Sequence, residues 1–133
     1  TDFSGVSLAI SSNGNRVIIG ATANDGDNGF TNSGNARVFD FDGAETWNQI
    51  GQDIDGEAAG DRFGSAITIS ANGNRVAIVA RFNDGDNGVR SAHVRVFDVC
   101  SALSILRNCT YSEHTSVSPV LPSLHLFESL SDS

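Results

Sequence analysis

Lysine is absent from the sequence, and proline, cysteine, tryptophan and tyrosine are scarce: two, two, one and one among 133 residues. All eight cationic side chains are arginines, standing singly at Arg16, Arg37, Arg62, Arg75, Arg81, Arg90, Arg95 and Arg107 against 16 carboxylates, for a formal net charge of -8. No basic stripe exists to track a phosphate backbone, so nucleic acid is not an expected partner. No apolar run approaches the ~18 residues of a membrane span. Cys100 and Cys109 leave two readings open, one small disulfide loop or two free thiols, and they decide no compartment. Catalytic patterns are missing as well: there is no G-x-S-x-G, H-E-x-x-H, C-x-x-C or G-x-x-x-x-G-K-[ST]. Of His93, His114 and His125, only His93 lies in patterned sequence. The expected protein is not an enzyme.

What the chain does contain is a duplication. Shifted by about 59 residues, Gly5–Ser11 falls on Gly64–Ser70, Asn13–Val17 on Asn72–Val76 and Asn24–Gly29 on Asn83–Gly88. With one residue deleted from the second copy, Arg37-Val38-Phe39-Asp40 falls on Arg95-Val96-Phe97-Asp98. Four blocks in the same order identify an internal repeat.

Each copy reads as short strands separated by turn chemistry. Leu8 and Ile10 alternate with Ser7, Ala9 and Ser11, as Ile67 and Ile69 do with Ala66, Thr68 and Ser70, which suits an inner strand packed on both faces. Asn13-Gly14 and Asn72-Gly73 are expected to supply the positive backbone angles of a tight hairpin. The nearly continuous apolar runs Val17–Ile19 and Val76–Val79 then read as buried strands. After an Asp/Asn/Gly loop, 36–41 and 94–99 resume alternation as a third strand. In the first copy Trp47–Ile50 provides a fourth, and Trp47 is expected to pack between repeats. The second copy is expected to stop after its third strand. Four short strands per repeat predict an all-β fold of the partial β-propeller type, with two four-stranded antiparallel blades, the second incomplete. The divisions expected are a first blade and linker over 1–61, an incomplete second blade over 62–98 and an irregular tail over 99–133. All 14 glycines precede Val99, whereas both prolines, both cysteines and nine serines follow it. The tail is open to two readings, a foreign or altered end and a natural cap. Its Asn108-Cys109-Thr110 is a glycosylation sequon, in keeping with a secreted route.

Phe63-Gly64, opening one repeat, and Gly20-Ala21-Thr22, closing a strand in the other, resemble the two halves of the FG-GAP repeat. The likeness covers about residues 2–98. It implies the kind of propeller found at the head of integrin α chains, hence a non-catalytic binding, adhesion or structural scaffold, extracellular or at the cell surface, with a protein or glycan ligand. Neither copy keeps the full motif: Ser4-Gly5 and Val79-Ala80-Arg81 stand in the other positions. The family's calcium loop is replaced by Ser11–Arg16 and Ser70–Arg75, which hold no carboxylate, so its calcium sites do not carry over.

Calcium elsewhere is the alternative reading, as a stabiliser of the repeat. The linker places Asp53, Asp55, Glu57 and Asp61 at positions 1, 3, 5 and 9 of a short loop, a spacing that suits an oxygen-rich cation site. Asp25 and Asp27, echoed by Asp84 and Asp86, form a second candidate. The competing account makes all of these turn-forming and linker residues. Fewer than two blades cannot close a ring, so the chain is expected to be part of a longer propeller or to assemble as a homo-oligomer with other copies.

Overall fold

The computed structural model describes residues 3–27, 29–82, 92–99 and 112–117. These are all-β, with no helix among them. Eight strands follow in order: β1 (Ser4–Ile10), β2 (Arg16–Ala21), β3 (Asn35–Phe41), β4 (Trp47–Asp55), β5 (Phe63–Ile69), β6 (Arg75–Ala80), β7 (His93–Asp98) and β8 (Ser112–Val117). They form two antiparallel meanders, sheet A in the order β1-β2-β3-β4 and sheet B in the order β5-β6-β7-β8.

The repeated S-x-N-G-x-R segment makes the same turn twice. Ser11 Oγ donates to Asn13 Oδ1 at 2.8 Å, and that oxygen also accepts the Asn15 amide at 2.9 Å. Ser70, Asn72 and Asn74 repeat the arrangement at 2.8 and 3.0 Å. Only the glycines, Gly14 at φ +75° and Gly73 at φ +76°, take the left-handed conformation. The asparagines, expected to share that role, serve as side-chain acceptors.

Two expectations about strands are corrected. β4 runs through Asp55, so Asp53–Asp55, read as the start of a linker, is the last third of a nine-residue strand. Sheet B does not stop at its third strand, because β8, drawn from the tail, pairs with β7 from Val94↔Val117 to Asp98↔Ser112.

One face of sheet B lies on one face of sheet A, with β5 crossing β1, β2 and β3. Their shared core joins Ile18, Ala36, Val38 and Ile54 to Phe63, Val76, Ile78, Ala80, Phe97 and Val99. Each large apolar side chain buried there contributes about 1.5–3 kcal/mol. Backbones meet closely where side chains are missing. A Cβ on Gly20 would lie 2.3 Å from Gly64 O, and one on Gly34 would lie 2.2 Å from Phe63 O. Gly34 and Phe63 form a parallel bridge, and Ser7 Oγ donates to Gly64 O at 2.6 Å.

The opposite face of sheet A is open. Leu8 and Ile10, expected to be packed on both sides, are 66% and 53% exposed, because among the described residues only the Ser7 and Ala9 side of β1 has a neighbouring sheet. Trp47 is exposed on this face, its ring 5.2 Å from that of Phe41, and with Val17, Ile19 and Phe39 it lines a shallow groove of about 340 Å³.

Candidate functional site

Asp25, Asp27, Asp53, Asp55, Glu57 and Asp61, the described residues among those singled out for chemistry, lie on or beside the loop between β2 and β3 and the connection from β4 to β5. Backbone bonds stitch the two together. Gly60 N donates to Thr31 O at 2.9 Å, Phe63 N to Ser33 O at 2.9 Å and Gly56 N to Gly34 O at 2.8 Å. The loop is further set by its own side chains: Asn24 Oδ1 accepts from Gly26 N at 2.7 Å, and Asp25 Oδ1 accepts from Asn32 N at 2.9 Å. Asp25 is thus a turn-forming residue here, and Phe30 of the same loop is exposed.

Asp53, expected in a linker, lies on β4 and anchors β3. Its carboxylate pairs with Arg37 Nη2 at 2.7 Å and accepts from Asn35 Nδ2 at 2.8 Å and Gln49 Nε2 at 2.7 Å. Burial pushes its pKa up, but the hydrogen bonds from Arg37, Gln49 and Asn35 and the Arg37 charge outweigh that and hold it below the usual carboxylate range. Asp55, two residues on, is the opposite case. Burial raises its pKa, and the charges of Asp27 and Asp53 add to the rise, while the Asp27 amide, 3.3 Å from Asp55 Oδ2, opposes it. Asp55 Oδ1 is buried without a hydrogen-bond partner among the described residues.

Glu57 turns instead toward sheet B, where Arg95 Nε lies 3.3 Å and His93 Nδ1 3.8 Å from its carboxylate. Arg95 also reaches Glu113 on β8 at 3.0 Å and Asp55 O at 3.1 Å, with its guanidinium over the rings of Phe97 and Phe63. The Arg95 hydrogen bond, chiefly, lowers the pKa of Glu113. Asp61 is buried, and its Oδ2 accepts from Ala58 N at 3.0 Å.

The structure therefore brings Asp27 to Asp55 and Asp53 to Arg37, but it does not gather Asp53, Asp55, Glu57 and Asp61 around one point. Among the described residues, no group of three or more His, Cys, Asp or Glu side chains is placed to hold a metal ion. Asp84 and Asp86, the cysteines and the sequon lie outside the described residues.

Sequence reading missed the arginine and glycine positions that join the sheets. Arg16 makes a two-pronged pair with Asp40 across β2 and β3, at 2.6 and 2.8 Å, and its Nη1 donates to Gly73 O of sheet B at 2.8 Å. Arg75 makes the corresponding pair with Asp98 at 2.8 Å. The signal was present in the recurrence of Arg16 and Asp40 as Arg75 and Asp98 in both copies. No protein-family model matches the chain, and no curated protein resembles it at a significant level.

Proposed function

We propose that the chain is a stacking unit of a β-propeller of FG-GAP-like, integrin-α-like design, acting as a non-catalytic binding or adhesion scaffold at the cell surface or outside the cell. One observation carries this reading. The face of sheet A bearing Leu8, Ile10, Val17, Ile19 and Phe39 is open, and its repeat equivalents on sheet B, Ile67, Ile69, Val76, Ile78 and Phe97, are the face that packs against sheet A. A repeat that presents one and the same face to the sheet before it builds a stack, and a closed stack is a propeller.

The engagement of the ionisable groups favours a scaffold over a catalyst. Asp53, Asp61 and Glu57 are held by Arg37, the Ala58 amide and Arg95. The surface assigned to a protein or glycan ligand is the loop ending at Ser33, which is tied by backbone bonds to the connection at 56–63 and carries the exposed Phe30. Binding of the chain to immobilised glycans and extracellular-matrix proteins tests this. The reading expects saturable binding that Phe30→Ala weakens about tenfold, with circular dichroism showing the variant folded. Binding that is absent, or indifferent to Phe30, refutes it.

A further inference from the structure

Inside the chain, docking of sheet B on sheet A has two ends. At the turn end, the Asn72–Gly73 turn sits over Ser11 and Arg16: Gly73 O accepts from Arg16 Nη1, and a Cβ on Gly73 would lie 3.3 Å from the Arg16 side chain. At the other end the backbone of β5 comes down on Gly20 and Gly34, where a side chain would strike Gly64 O and Phe63 O.

The outer face of sheet B keeps only the first of these ends. Ser70, Asn72, Asn74, Arg75, Asp98 and Val99 line an open cavity of about 550 Å³, and they are the repeat equivalents of the residues around Arg16. At the second end, however, Gly20 is replaced by Val79 and Gly34 by Ala92. Val79 projects from the outer face, since Val76, Ile78 and Ala80 fill the core on the other side. Sheet A, by contrast, keeps on its open face the backbone features and the β-strand apolar residues that sheet B uses to dock, with Ser4 in the place of the core residue Phe63. Gly5 has φ +89°, as Gly64 has +90°, with the same register shift in β1 as in β5, and Gly14 is unobstructed.

We propose that the open face of sheet A is a docking surface for a further sheet of this same repeat, one that carries glycine at the Gly20 and Gly34 positions. Val79 and Ala92 bar sheet B from serving as that partner for another copy, so the chain does not stack on itself. The proposal rests on the stacking part of the reading above and is independent of its ligand-binding part. The partner is identified by the internal interface, where each surface element of the open face already has a docked counterpart.

The test turns the barrier into a gain. Sedimentation of the full chain compares the wild type with Val79→Gly/Ala92→Gly, each with and without Leu8→Asp or Arg75→Ala. The expected result is head-to-tail assembly of the double variant to masses well above 13.9 kDa, lost with either added substitution, and no assembly of the wild type that depends on both Leu8 and Arg75. Circular dichroism checks folding; should the double variant be unfolded, Ala92→Gly alone, before β7 begins, is expected to give a smaller gain of the same kind. A folded variant that stays at the wild-type mass overturns the proposal. So does a wild type that already assembles with sensitivity to both sites, or one that pairs through Leu8 alone, which would make a like face the partner. Failure of ligand binding at Phe30 leaves these readouts untouched.

Discussion

At the scale of single residues, the two copies perform a natural experiment on one ion pair. Arg16–Asp40 and Arg75–Asp98 have the same partners and nearly the same distances, yet the arginine side chains are 10% and 54% exposed. An exposed pair contributes about 0–1 kcal/mol, whereas removing one partner of a buried pair strands the other charge and costs more. Arg16→Ala is expected to cost about 2–3 kcal/mol in urea unfolding, including the lost bond to Gly73 O, and Arg75→Ala less than about 1 kcal/mol. Neighbouring carboxylates should pull in opposite directions as pH changes. The lowered pKa of Asp53 means that its stabilising contribution is present above the ordinary carboxylate range and is lost as pH falls through its folded value. The raised pKa of Asp55 makes its contribution favourable at low pH and lost as pH rises through the folded value. Asp55→Asn is therefore expected to raise Tm at pH 7 and to have little effect near pH 3, while Asp53→Asn lowers Tm at pH 7.

At the scale of elements, the strands whose ends are fixed by turn chemistry were legible. β1, β2, β5 and β6 flank the Ser-x-Asn-Gly-x-Arg turns, whose hydrogen bonds are short-range and written in consecutive residues. β4 was legible only in its first half, because Asp53, Asp55 and the glycines near them read as linker, and only the cross-strand partners Arg37 and Asn35 make Asp53 a strand residue. Asp53 spends its acceptors on three side chains of its own sheet, Asn35, Arg37 and Gln49. Added Ca²⁺ is accordingly expected to leave Tm unchanged, and a Ca²⁺-dependent rise abolished by Asp55→Ala would favour calcium as a stabiliser of the repeat. β8 was illegible because Ser112–Val117 repeats nothing of β4. Its Glu113 nevertheless meets Arg95 as Asp53 meets Arg37, so tertiary pairing selected a polar segment that local preference does not mark. Thr115→Pro, which removes a backbone donor from the strand paired at Val96, is expected to lower Tm by several degrees.

At the scale of the whole molecule, the same face has opposite fates in the two sheets, buried in sheet B and open in sheet A. The duplication was readable as a pattern; which copy covers the other was not, since it rests on a few positions where the copies differ, Gly20 and Gly34 against Val79 and Ala92, and Phe63 against Ser4. Ile78→Asp, placing a charge in the shared core, is expected to unfold the chain, whereas Leu8→Asp at the equivalent face of sheet A changes stability by about 0.5 kcal/mol or less. The most direct test of this arrangement is nuclear Overhauser contact between the sheets. The account predicts a cross-peak from the Ile67 δ1 methyl to Gly20 Hα, because that methyl stands 2.9 Å from where a Gly20 Cβ would be. Its absence, in a spectrum that shows the β1–β2 contact between Leu8 and Ile19, would mean that each sheet forms but that they do not stack in this register.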